Sequence, residues 1–294
     1  MTIRFLKAIS SLLITLALIL ACDVIEPPYT ITNNDADTTR FPVPEFPERT
    51  EYVKKVFLEN FTGHKCGNCP RAHEEAIRLE QLYHDQLIPL AIHVTDFFGG
   101  ADETGYFTND YRTPTGDDLD YYFGIEAAGI PRGIVNRTEY NTHTILVYSD
   151  WEGAIETQLS TDPLIDLQII TQYDADSNDF AAHIQIHLLQ DFQNTINLSA
   201  FVVEDSIVSA QKDYNEDPTV IEDYTHRHML RASLNGTWGD PLFEGSAANG
   251  QKIIKSFSAA LNKEYNPLNC SVVAFVYDAA TLEVLQAEEV KIIE

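Results

Sequence analysis

The stretch Phe57-Leu58-Glu59-Asn60-Phe61-Thr62-Gly63-His64-Lys65-Cys66-Gly67-Asn68-Cys69-Pro70 decides how the rest of the chain is read. An apolar run ends at a glycine, two cysteines follow in a Cys-x-x-Cys spacing, and a proline opens a helical pattern. Two thiols so placed can close into one disulfide. The amides and dipole of the helix start favour the thiolate of the attacking cysteine. Half a zinc site has the same spelling. The chain holds four cysteines and no second pair, so an all-cysteine zinc site cannot be completed, and neither metal nor cofactor is expected.

Outward from this stretch the pattern is a βα rhythm. Residues 52–61 read as a buried strand. After Pro70, the residues Ala72, Ala76, Leu79 and Tyr83 recur at helical spacing, with Arg71, Glu74, Glu75, Arg78 and Glu80 largely opposite. Residues 87–94 read as a second strand. Residues 95–114, rich in Gly, Asp and aromatics, read as an inserted loop, a flap beside the cysteines in which Phe97, Phe98, Tyr106, Phe107 and Tyr111 could face a peptide. The alternative is an insertion packed outside the sheet. Residues 117–123 predict a short helix with Thr115 or Asp117 as cap. Gly129-Ile130-Pro131-Arg132-Gly133-Ile134-Val135 follows, and residues 151–159 form a last amphipathic helix.

Strand, Cys-Gly-x-Cys, helix, strand, short helix, then Phe123-Gly124-Ile125 leading into Gly129-Ile130-Pro131, together resemble a thioredoxin-like domain over about residues 52–160. The resemblance implies a cis Pro131 lying against the disulfide, with Ile130 backbone groups free to pair with an extended substrate. It implies that Cys66 attacks and Cys69 resolves. Substrate contacts are expected from Ile130, Arg132, His64 and Lys65. The sequence departs from the family at Lys65, where tryptophan is usual, and at Arg132, where threonine is usual. Asn60 replaces the buried acid that serves the resolving thiol, and the adjacent Glu59 could serve from a different face. His64 and Lys65 would favour the thiolate by charge.

The chain changes character at Pro163. Residues 164–173, 180–189, 196–203, 252–260, 271–277 and 282–293 read as strands, several of them separated by turn signals such as residues 174–179. With no comparable helix, this half predicts an Ig-like β-sandwich. His183 with His187, and His226 with His228, could each put two imidazoles on one strand face, though neither pair has a third ligand nearby. Asp174-x-Asp176-x-Asn178 begins like a calcium loop but lacks its glycine and bidentate glutamate, so a hairpin turn is expected. Cys270, in a strand-like run, reads as a buried inert thiol.

Residues 1–21 read as a signal peptide: Arg4 and Lys7 precede an apolar run too short for a comfortable membrane span. The run ends Ile19-Leu20-Ala21-Cys22, which resembles a bacterial lipobox and implies a lipidated Cys22. Residues 22–50, with five prolines and a cluster of Asn, Asp and Thr, read as a flexible tether. The segments 224–231, 234–240 and 284–287 (Tyr-Thr-His-Arg-His-Met-Leu-Arg, Leu-Asn-Gly-x-x-Gly-Asp and Val-Leu-Gln-Ala) are similar to the family of Omp twenty-eight-related outer-membrane lipoproteins. The expected organisation is therefore signal peptide 1–21, lipidated tether 22–50, thioredoxin-like domain 51–162 and sandwich 163–294. The resemblance implies an envelope protein lipid-anchored to the outer membrane, either periplasmic or surface-exposed.

Net charge is −26, with no basic run to follow a phosphate backbone, so nucleic acid is excluded as a partner. Two functions stand. One is a thiol-disulfide oxidoreductase acting on envelope protein or peptide clients. The other is a surface binding or adhesion lipoprotein whose disulfide is a clip or relic.

Overall fold

The computed structural model describes residues 36–243 and 245–293. The signal segment, Cys22 and residues 22–35 of the expected tether lie outside the described residues. The apolar run quoted above forms β1 (Val56–Thr62), buried along its whole length. Helix α1 (Cys69–Tyr83) follows, and β2 (Leu87–His93) returns in parallel beside β1 in the register Thr62↔His93. A helical crossover of this length is what two parallel neighbours require.

Between β2 and the next strand lie a π-turn at Thr95–Gly99 and the helices α2 (Pro114–Phe123) and α3 (Ile125–Ala128). Thr113, rather than Thr115 or Asp117, caps α2: its hydroxyl accepts from the Gly116 N–H at 3.0 Å. Strand β3 (Arg132–Val135) then joins the free edge of β1, antiparallel, and α4 (Trp151–Leu159) packs over it. Gly133 permits that packing, since a Cβ there would sit 2.4 Å from the Trp151 ring.

Ten strands follow: β4 (Ile165–Asp174), β5 (Asp179–Leu188), β6 (Ile196–Glu204), β7 (Ile207–Lys212), β8 (Val220–His226), β9 (Met229–Ser233), β10 (Asp240–Pro241), β11 (Lys252–Ala260), β12 (Cys270–Asp278) and β13 (Val284–Lys291). One 8-stranded sheet runs β13-β12-β6-β9-β2-β1-β3, with β10 alongside β6. A second sheet, β11-β5-β4, packs on it, and β7-β8 is a separate hairpin. Alternation along β4 and β5 sends Ile165, Leu167, Ala182, Ile184 and Ile186 into the core between these two layers, where they meet Leu198, Val202 and Val272. The fold is thus mixed α/β and mostly β.

Three expectations are revised. The boundary at 162/163 does not divide the sheet, because β9 lies beside β2, where the Ala91 N–H donates to the His228 carbonyl at 2.7 Å. Phe57, Phe61 and Leu90 share one apolar cluster with Phe201, Val273 and Phe275 from the other half. Next, residues 36–50 are not a free tether. Phe41 and Phe46 are buried, Arg40 pairs with Asp174 and Asp179, and Gln168 and Gln172 donate to the Pro47 and Pro42 carbonyls. This segment covers the outward, polar residues of β4, and Arg40 engages Asp174, the first residue of the calcium-like spacing, together with Asp179 in its missing-glycine position. Finally, β7, β8 and β9 fill a region where the sequence offers only a strand face shared by His226 and His228, and they matter for the site.

Candidate functional site: a covered disulfide backed by imidazoles

Gly63 turns the chain out of β1, and the Cys66 N–H donates back to the Gly63 carbonyl at 3.0 Å. Cys69 starts α1, and its sulfur is bonded to that of Cys66. The Ile130–Pro131 peptide is cis, and the Ile130 carbonyl oxygen lies 4.0 Å from the Cys66 sulfur. The structure therefore brings Cys66, Cys69, Ile130 and Pro131 into one place.

Helix-start geometry predicts an outward-facing first sulfur, yet both cysteines are only 2% exposed. The cover comes from the second half of the chain. From the β7–β8 hairpin, the Gln211 side-chain amide donates to the Cys66 carbonyl at 3.1 Å. The Lys212 N–H donates to the His64 carbonyl at 2.8 Å, and the Tyr214 N–H to the Gly67 carbonyl at 2.9 Å. The Tyr214 ring lies so close over Gly67 that a Cβ there would meet it at 2.6 Å. On the other side the 95–114 loop contributes, with the Lys65 N–H donating to the Phe98 carbonyl at 3.0 Å. Within that loop Phe97 is largely exposed, whereas Tyr111 is buried.

The flanking residues differ from their expected roles. His64 is buried against the Gly100 carbonyl at 3.1 Å, and burial lowers its pKa, so it brings no positive charge to the sulfur. Lys65 spends its charge on Asp102 at 2.9 Å. Arg132 donates to the Pro131 carbonyl at 2.8 Å. Glu59 and Asn60, neighbours on β1, point to opposite faces. Glu59 is wholly buried in a bidentate pair with Arg137, at 2.7 and 2.9 Å, so it cannot serve the resolving thiol. The Arg137 guanidinium also lies over Phe275, 5.1 Å from the ring centroid, and over Tyr277 at 5.5 Å.

Behind Cys69, on the Asn60 face, three histidines from three elements gather: His73 on α1, His93 at the end of β2 and His226 at the end of β8. The His93 and His226 rings are 5.7 Å apart, and Tyr224 joins the set with its hydroxyl 2.5 Å from His73 Nδ1. Burial lowers the pKa of His73 to about 4 and that of His226 to about 3, and takes His93 well below the usual range. All three imidazoles are therefore neutral at neutral pH. Sequence reasoning paired His226 with His228. The turn between β8 and β9 separates them, and His228 instead reaches Glu80 at 3.2 Å. Among the described residues, no three His, Cys, Asp or Glu side chains are arranged to hold a metal ion. Cys270 is a free buried thiol, its pKa pushed up to about 12 by burial.

The fold and site define a mostly-β protein with a helix-start disulfide closed beneath a hairpin from its own C-terminal half. A family model described as outer membrane protein Omp28 matches residues 118–294, and the chain belongs to that family. The assignment places the protein at the outer membrane of the cell envelope. Among the described residues no helix is long and apolar enough to cross a membrane. The fold is similar to that of HBP35 of Porphyromonas gingivalis, with a TM-score of 0.61 and 19% identity over 83% of this chain and 76% of that one. A structural-genomics target from Agrobacterium tumefaciens is also similar, with a TM-score of 0.51 and 14% identity over 83% of this chain and 97% of that one. No curated protein matches the chain.

Proposed function

We propose that the protein is an outer-membrane lipoprotein, anchored through a lipidated Cys22, whose thioredoxin-like part exchanges disulfides with envelope protein or peptide clients. In this reading residues 51–162 supply the exchange chemistry. The Ig-like sandwich, most of whose strands come from residues 163–294 and whose larger sheet continues into β2, β1 and β3, holds the hairpin over it. The observation that carries the proposal is the closed Cys66–Cys69 bridge at the first turn of α1, with the Ile130 carbonyl 4.0 Å from the Cys66 sulfur. A client strand pairing with Ile130 would lie across that sulfur.

In the oxidising direction, a client thiolate attacks the Cys66 sulfur and the Cys69 sulfur leaves as a thiolate. A second client thiolate then displaces Cys66, leaving a client disulfide and a reduced pair. In the reducing direction, the Cys66 thiolate opens a client disulfide and Cys69 displaces the client from the mixed disulfide. Either route requires the β7–β8 hairpin to lift, since the sulfurs are covered.

That cover also favours a second reading, a binding or adhesion lipoprotein in which the bridge is a clip between loop and helix. Trapping in envelope extracts separates the two. Cys69→Ala should accumulate mixed disulfides through Cys66, seen by non-reducing mass spectrometry, and Cys66→Ala should accumulate few. Equal trapping by both would undo the role assignment. Trapping by neither would favour the clip. Palmitate labelling tests the anchor: Cys22→Ser should lose the label and leave the membrane fraction.

A further inference from the structure

A resolving thiol must lose a proton before it attacks and regain one when it leaves. Cys69 is buried, and its neighbour on β1, Asn60, cannot take that proton. Glu59 is committed to Arg137 on the opposite face. A cavity of ≈ 10 Å³, room for about one water, lies against Cys69 and is lined by Asn60, Thr62, His73, His93 and His226 among others. Polar atoms at its lining lack a hydrogen-bond partner: both ring nitrogens of His93, the Nε2 atoms of His73 and His226, and Asn60 Oδ1. Buried groups of this kind rarely stay unmatched.

We propose that the imidazoles of His73, His93 and His226 take and return the Cys69 proton across this shared cavity, standing in for a buried carboxylate. The inference rests on the reading that the cysteine pair exchanges disulfides. Once Cys66 is in a mixed disulfide, the proton of the Cys69 thiol passes to an imidazole nitrogen. The thiolate attacks the Cys66 sulfur, the internal bridge re-forms, and the client leaves as a thiolate. Running in reverse, an imidazolium protonates Cys69 as it departs. Burial disfavours a lone imidazolium here, but a thiolate created beside it is the counter-charge that makes it stable. His73 has an outward path as well, because Nδ1 bonds the half-buried Tyr224 hydroxyl while Nε2 is covered. The Tyr111 and Tyr224 rings pack on the cluster, 5.4 Å from His93 and 5.0 Å from His226, and the other charged and titratable groups around it are His64, Glu80, Asp205, Arg227, His228 and Arg231.

The test uses the reduced full-length protein in detergent and dithiobis(nitrobenzoic acid) as the probe. Attack by Cys66 releases one chromophoric thiolate, and resolution by Cys69 releases the second. His93→Gln and His73→Gln should each lower the ratio of second to first release rate by about ten-fold or more. The second release should then rise in proportion to hydroxide instead of levelling. Adding Asn60→Asp to His93→Gln should restore the ratio, which a merely structural role for His93 would not allow. Should His93→Gln fail to fold, His73→Gln, on the partly exposed side of α1, carries the test alone. An unchanged ratio in a folded variant, or loss without rescue by Asn60→Asp, overturns the relay. Absence of any first release from wild type overturns the exchange reading itself, a distinct result.

Discussion

The two faces of β1 handle polar groups in opposite ways. On one, the Glu59 carboxyl is paired with the Arg137 guanidinium through two hydrogen bonds beneath aromatic rings. On the other, Asn60 and the imidazoles are neutral, and several of their polar atoms are unmatched beside a sulfur. A buried charge persists only where geometry and partners are complete. Neutral groups able to change protonation suit a place where charge appears only during reaction. The difference teaches that the acid next to the motif is structural and that proton traffic belongs to the other face.

The largest effect should come from breaking the matched face. Arg137→Ala leaves Glu59 buried and unpaired, and urea denaturation should show a loss of about 3–5 kcal/mol. A loss below about 1 kcal/mol would mean that the two faces do not differ as argued. The unmatched face should appear in acid. His73 and His226 titrate near 4 and 3 when folded and near 6.5 when unfolded, so the unfolded chain binds more protons as pH falls below about 6.5. Each imidazole should therefore cost up to about 1.4 kcal/mol of stability per pH unit in that window. His226→Gln should flatten the fall in thermal midpoint between pH 6.5 and pH 4. An unchanged slope would place His226 outside the buried set.

The smallest effect concerns the cover. Gly67→Ala should push the Tyr214 ring aside, at a stability loss of about 1 kcal/mol. It should speed reduction of the bridge by an added dithiol several-fold. No change in that rate would show that the hairpin does not limit access to the sulfurs.

Much of this was legible in the residues. Cys66 and Cys69, the helical spacing of Ala72, Ala76 and Leu79, and Pro131 after Ile130 all carry local signals that survive folding. Alternation along 165–188 also survived, because one face of β4 and β5 is apolar. The hairpin did not show: Gln211, Lys212, Glu222 and Asp223 interrupt the apolar pattern, and what orders β7 and β8 is contact with the cysteine motif. Phe41 and Phe46 sit among prolines with no period, so their burial depends on a strand far along the chain. The imidazole cluster draws on α1, β2 and β8, and no single stretch of sequence contains it. The parity of Glu59 and Asn60 was readable, but the partner that settles Glu59, Arg137, lies 78 positions away.

The continuous sheet from β13 to β3 bears on whether the protein can be divided. A fragment ending at residue 162 would lose β9 from beside β2. It would also lose the partners of Phe57, Phe61 and Leu90 in a cluster completed by Phe201, Val273 and Phe275. Neither half keeps a closed interior when cut away, so the halves are not interchangeable modules. They should melt together in one transition, and any lineage that lengthens or swaps one half must re-fit the other along a shared seam.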